Sequence, residues 1–307
     1  MTEVLTIALR FGLYLDLMLL FGVPAFALYN FRQRPADLTP TLPVRTVVLV
    51  AAATGVLLSV AGVITMAAAM SGAELAAVGR AEITAVLTAT AFGTAALLRL
   101  AALVFVLSFM FPAPINRARM MVVLAFAAIA LGTLAWSGHA AMADSRAAQL
   151  HLVADILHLW AAGVWIGALA ALLMLIGSAG KFSGARGAAL YHALAAFAVP
   201  GSILVATLLL TGVVNGLVLI GPAHLADLPA SRYGQLLLVK LVLFAAMLGL
   251  AALNRYRLTP DLQSALVSGA TSGMALRRSL RFEATIGVTI LALVAWLGTL
   301  APSGSLT

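Results

Sequence analysis

Eight stretches of about 20 or more predominantly apolar residues recur along the chain, and runs of that length with few charges fit membrane-crossing helices. They fall at about 4–29, 44–70, 82–111, 119–138, 149–177, 190–220, 234–253 and 279–300. Hydrocarbon offers no partner for a free backbone N–H or C=O, so each run is expected to be a helix that satisfies its own backbone. The expectation is an all-α polytopic membrane protein, one transmembrane domain over residues 1–307. Composition agrees, with 63% hydrophobic and 9% charged residues leaving too little polar surface for a soluble fold of this size. The first run follows an acidic Glu3 and ends at Asn30, Arg32 and Arg34 without a small-residue cleavage pattern, so it is expected to stay in the mature chain.

The net charge of +8 lies between the apolar runs, where orientation rules place basic residues, so nucleic acid is not an expected partner. Odd-numbered connections are basic: Arg32, Arg34 and Arg45, then Arg117 and Arg119, then Lys181 and Arg186, then Arg255, Arg257, Arg277, Arg278 and Arg281. Each even connection carries one Arg (Arg80, Arg146, Arg232) offset by Glu74, Asp144 or Asp227. Retention of Lys and Arg in the cytoplasm then places both termini in the periplasm and the longest loop, 254–278, inside.

That orientation sorts the histidines. His139, His151, His158 and His224 face outward and His192 inward. His151, Asp155 and His158 are spaced i, i+4, i+7, an arc of about 60° on one helix face. An Asp one turn inside the bilayer costs roughly 2.5–3.5 kcal/mol to insert, which marks it as a functional position. Imidazole and carboxylate together suit a transition-metal ion. With no Cys, soft donation falls to Met: Met66 and Met70 at i, i+4 in the second run, and Met142 just after His139. Plainer readings stand beside these, an interfacial hydrogen bond for the stripe and gap-filling packing for the methionines.

Other polar groups continue the line inward. Counting 1.5 Å per residue puts Asp155 about 8 Å and Lys240 about 9 Å inside the outer boundary, and Arg99 and Glu283 both about 24 Å inside. The first two can meet if the fifth and seventh helices touch, the second two form a plausible inner pair, and Asp16 and Asn215 add polar groups nearer the middle. Such pairs serve as gating elements or as devices that fix helix register.

The sequence text around these residues resembles the CopD/PcoD family of copper-resistance inner-membrane proteins. The matching elements are Ser137-Gly138-His139-Ala140, His151-x3-Asp155-x2-His158, Trp165-Ile166-Gly167-Ala168, Thr211-Gly212-x2-Asn215, Tyr233-Gly234-x5-Lys240, Asn254-Arg255 and Arg278-Ser279-x3-Glu283, across about 131–301. The first four helices match through their number and Thr90-x-Phe92-Gly93, and the pattern is departed from at Asp16, Ala168 and Ser231. The resemblance implies copper, as Cu(I) or Cu(II), handled at the bacterial inner membrane beside a small periplasmic copper-binding protein of the CopC type, with transfer inward. An electron-transfer protein with haem between His139 and His158, and a scaffold or sensor that binds copper without moving it, are the alternatives. No nucleotide loop, His-Glu-x-x-His motif or nucleophile–base pair argues for an enzyme.

Overall fold

The computed structural model describes residues 2–33, 42–111, 116–137, 146–177, 184–221, 226, 228–268 and 274–300. Ten α-helices run through them: α1 (Thr2–Gln33), α2 (Val44–Ser71), α3 (Arg80–Ala89), α4 (Ala91–Met110), α5 (Arg117–Gly132), α6 (Arg146–Ile176), α7 (Gly184–Ile220), α8 (Arg232–Leu253), α9 (Thr259–Ser268) and α10 (Met274–Leu297). Among the described residues there is no strand, and eight helical spans are long and apolar enough to cross a membrane. The chain is a multi-pass membrane protein, as its apolar runs predict.

The bundle is organised around the crossing of α1 and α6. Lipid tails supply little hydrophobic drive between helices, so close approach of backbones has to do the work, and small residues permit it. Gly163 and Gly167 of α6 form a Gly-x3-Gly face against Gly22 of α1. A Cβ on Gly167 would lie 2.2 Å from the Gly22 carbonyl carbon, and one on Gly22 would lie 2.0 Å from the Gly163 oxygen. On one side of this crossing pack α2, α4 and α5, with α3 against α2 and α4. On the other, α7 packs on α6 and α9 while α8 packs on α10, which itself rests on α1 and α6. Because α7 and α8 take different neighbours, a gap is left between them.

Two boundaries differ from the sequence reading, each for a local reason. The run 82–111 is not one helix: it breaks at Thr90, whose hydroxyl donates to Val86 O at 2.7 Å and accepts from Gly93 N at 2.9 Å, ending α3 and capping α4. The described part of the connection after α8, residues 254–268, is not a loop. It continues α8 through a π-helical turn, Asn254–Leu258, into α9, an amphipathic helix that buries Leu262 and Ala265 and exposes Asp261, Gln263 and Ser264.

Candidate functional site

The continuous helix α6 puts His151, Asp155 and His158 on one face, as their spacing requires. The helix begins at Arg146, so His151 lies in its second turn, and it is 5% exposed. The run read from sequence starts at about 149, three residues later, which would leave His151 nearer the helix end. Asp155 and His158 are half-buried and turn toward α7.

There the partners are spaced one turn apart. Thr211 Oγ1 lies 2.8 Å from His158 Nδ1, and Asn215 Nδ2 donates to Asp155 Oδ1 at 3.3 Å. The Thr211 hydroxyl has a single proton, and it is directed to Thr207 O at 2.6 Å. The oxygen therefore accepts from His158, which assigns the proton to Nδ1 and leaves the lone pair on Nε2. A ligating histidine is commonly prepared in this way, with the far nitrogen held so that the near one is presented.

Charged and phenolic groups complete the neighbourhood. Lys240 of α8 acts electrostatically on both Asp155 and His158, so the expected approach of these residues is present. Tyr233 of α8 and Tyr14 of α1 also face Asp155, and Tyr14 is hydrogen-bonded to Arg10. Arg10 and Tyr14 were not singled out from sequence, and nothing in their spacing points to Asp155, whereas Tyr233 was visible as part of a motif, seven residues and two turns before Lys240 on α8. Thr211 was visible as part of a motif, and its i−4 relation to Asn215 was the available signal that both serve one face.

The remaining expected residues fall elsewhere. Among the described residues no three of His, Asp and Glu come together as a metal-holding group. Seven residues along α6 separate His151 from His158 by about 10.5 Å, too far for one ion to reach both without donors from other segments. His139, Met142 and His224 lie outside the described residues. Met66 packs into a small apolar cluster with Val63, Ala67, Val86 and Ala96, and Met70 is 56% exposed. Helix α2 packs on α1, α3 and α4, whereas the stripe looks toward α7 and α8, so these two methionines are not brought to it. Asp16 lies against Gly55 of α2, with Oδ2 buried and without a partner among the described residues.

The expected Arg99–Glu283 pair does not form. Because α4 starts at Ala91, Arg99 is eight residues inside it, about 12 Å, and not at the depth counted from residue 82. Its guanidinium is fully buried and donates to Ser59 Oγ at 3.0 Å and Thr133 Oγ1 at 3.2 Å. Glu283 sits across the α1–α6 crossing. It accepts from Trp165 Nε1 at 2.9 Å and Asn254 Nδ2 at 2.7 Å. These two donors and Glu283 line a cavity of about 330 Å³ bounded by α6, α7, α8, α10 and the π turn, with otherwise largely apolar walls.

Trp165 is seven residues after His158, two turns along the same face of α6. The stripe and the cavity thus follow one line between α6, α7 and α8, with the Glu283 carboxylate at one end and the oriented His158 imidazole and Asp155 at the other.

Comparison with known proteins adds to this geometry. Residues 1–149 match the family model for the copper resistance protein D-like N-terminal domain, and 191–297 match that for copper resistance protein D. The chain is 41% identical over 305 residues to copper resistance protein D of Pseudomonas syringae pv. tomato, covering 98% of each. It is 30% identical over 190 residues to inner membrane protein YebZ of Escherichia coli strain K12, covering 62% of this chain and 61% of that one. Similarity to copper transport protein CutJ of Bacillus subtilis strain 168 is 30% over 157 residues, covering 51% of this chain and 26% of the relative. No solved structure matches the chain.

Proposed function

The chain belongs to the copper resistance protein D family, and from that premise we propose that it takes up copper ions at the α6 stripe and moves them across the bacterial inner membrane, from periplasm to cytoplasm. The observation that carries the reading is the pairing of His158 with Thr211, which leaves the Nε2 lone pair free on the helix face that also carries Asp155. An imidazole nitrogen with a carboxylate oxygen is a borderline-to-hard donor pair, better suited to Cu(II) than to Cu(I), with donors from outside α6, the candidates His139 and Met142, completing the set and His151 serving as a separate imidazole farther out on the same face. Lys240 is the competing cation: when copper leaves, its ammonium balances Asp155, and when copper arrives the two cations repel. The role is that of a carrier and not of an enzyme.

Orientation follows from charge. Arg45, Arg117, Arg119, Arg255, Arg257, Arg277, Arg278 and Arg281 all belong to connections or helix ends on one side of the alternating spans, and that side is read as cytoplasmic. The stripe then opens to the periplasm, where a CopC-type protein would deliver copper. The test is copper flux into proteoliposomes of known orientation, with metal content of the purified chain, for wild type, His158→Ala and Asp155→Asn. Uptake from the stripe side that both substitutions reduce is the expected result. Stoichiometric copper without flux would make the protein a scaffold or sensor and sink the transport reading.

A further inference from the structure

Glu283 is 3% exposed, lies inside a membrane-crossing helix, and lines a cavity large enough for several water molecules at about 30 Å³ each. A buried carboxylate is normally balanced by a cation, because an isolated charge in low dielectric is costly. Here the groups that face it are neutral. Trp165 comes from α6 and Asn254 from the π turn, one N–H to each carboxylate oxygen. Among the described residues no charged side chain of the surrounding helices acts on it. Arg255 and Tyr256 border the same cavity, but Arg255 is committed across it to Ala198 O and Ser202 Oγ of α7. Ser279, one turn earlier on α10, is buried with its hydroxyl unpartnered among the described residues.

Asn254 makes the arrangement usable in two states. Its Nδ2 donates to Glu283 Oε2, while its Oδ1 is buried and has no partner among the described residues. An amide rotated by half a turn exchanges donor for acceptor, so the same side chain can donate to a carboxylate or accept from a carboxylic acid. An Arg or Lys at this place could do only the first. The residue sits where the helix loosens into a π turn, a form of local irregularity concentrated at functional positions.

We propose that Glu283, with Asn254 as its reversible donor–acceptor partner, is a proton-binding site facing the cavity between α7 and α8, and that its protonation is coupled to copper movement. A hydronium ion in the cavity gives up one O–H bond, Glu283 Oε2 gains it, water is left behind, and the carboxylate charge is cancelled. Asn254 then turns Oδ1 toward the new hydroxyl. A copper ion is a poor occupant, because each carboxylate oxygen already accepts an N–H and, among the described residues, the further groups at hand are an amide oxygen and hydroxyls, with no imidazole or thioether. The coupling runs through α7, which Arg255 grips next to Asn254 and which also carries Thr211 and Asn215 against the stripe.

The coupling rests on the transport reading; the proton site does not. Infrared difference spectra of the purified full chain across roughly pH 4 to 9 read the site directly, through the carboxylic-acid C=O band. Glu283→Gln is expected to remove one titrating band and to leave copper stoichiometry at the stripe unchanged. Trp165→Phe removes a donor that favours the ionised form, so the band is expected to persist about one pH unit higher. It also serves if the Gln variant does not fold. An unaltered band in either variant overturns the proton site. In proteoliposomes, wild-type uptake is expected to respond to an imposed pH gradient and Glu283→Gln uptake not to; equal responses overturn the coupling. A band lost in Glu283→Gln together with no uptake by wild type supports the site and overturns transport.

Discussion

Replacing Thr211 with Val changes one hydroxyl to a methyl and tests the histidine assignment with little disturbance of shape. Thr211 is 7% exposed, and its hydroxyl both donates to Thr207 O and accepts from His158 Nδ1. The Thr207 carbonyl keeps its helical backbone partner, so the folding cost is that of one neutral side-chain hydrogen bond, about 1 kcal/mol. The effect on copper is larger relative to binding. Without an acceptor at Nδ1 the imidazole is free to rotate and to place its proton on Nε2, the nitrogen that has to hold the metal. Loss of an outer-shell partner of this kind lowers metal affinity about 10- to 100-fold, or roughly 1.4–2.8 kcal/mol. Thr211→Ser keeps the oxygen and is expected to restore most of the loss. Competition against a chromogenic copper chelator gives the affinity, and thermal unfolding in the same detergent gives the control. Wild-type affinity in Thr211→Val, or equal weakness in Thr211→Ser, would refute the reasoning that the hydroxyl prepares Nε2.

A reporter fused after Thr307 is expected to be periplasmic and one inserted near Ser264 cytoplasmic; the reverse result overturns the orientation and the outward placement of the stripe. Copper affinity is expected to weaken as pH falls, because protons compete with the metal for the Asp155 carboxylate and the imidazole lone pairs, and binding that stays unchanged down to the lowest pH at which the chain remains folded would point to thioether ligands. His158→Ala is expected to lower copper stoichiometry more than His151→Ala, since His158 is the imidazole whose orientation is set by Thr211; Asp155→Asn is expected to impair binding with unchanged unfolding temperature, and unfolding would instead assign Asp155 a structural role opposite Lys240. Gly167→Ala drives a methyl into the Gly22 backbone, which cannot move as a side-chain tip can, so it is expected to destabilise the bundle by about 2–3 kcal/mol or more, read as a lowered unfolding temperature.

The number of crossings and their approximate bounds were legible in the sequence because the bilayer imposes one length and one polarity on every span, wherever the span ends up in the bundle. The i, i+4, i+7 arrangement of His151, Asp155 and His158 was legible for a similar reason: a helix converts spacing into a shared face without reference to neighbours. What spacing along one helix does not contain is lateral position. Depth counting brought Asp155 and Lys240 together correctly, but it paired Arg99 with Glu283, which stand on opposite sides of the α1–α6 crossing. It also took the break at Thr90 for part of a continuous span, because a single threonine hydroxyl does not interrupt a run read from its average hydropathy. The partners that give the site its chemistry, Thr211 on His158 and Asn254 with Trp165 on Glu283, come from helices dozens of residues away, brought within hydrogen-bond reach by the glycine-lined approach of α1 and α6 and the gap it leaves beside α7 and α8. Periodicity along a helix is a one-dimensional property that sequence carries directly, whereas which faces meet is decided by packing, and only the tertiary structure states it.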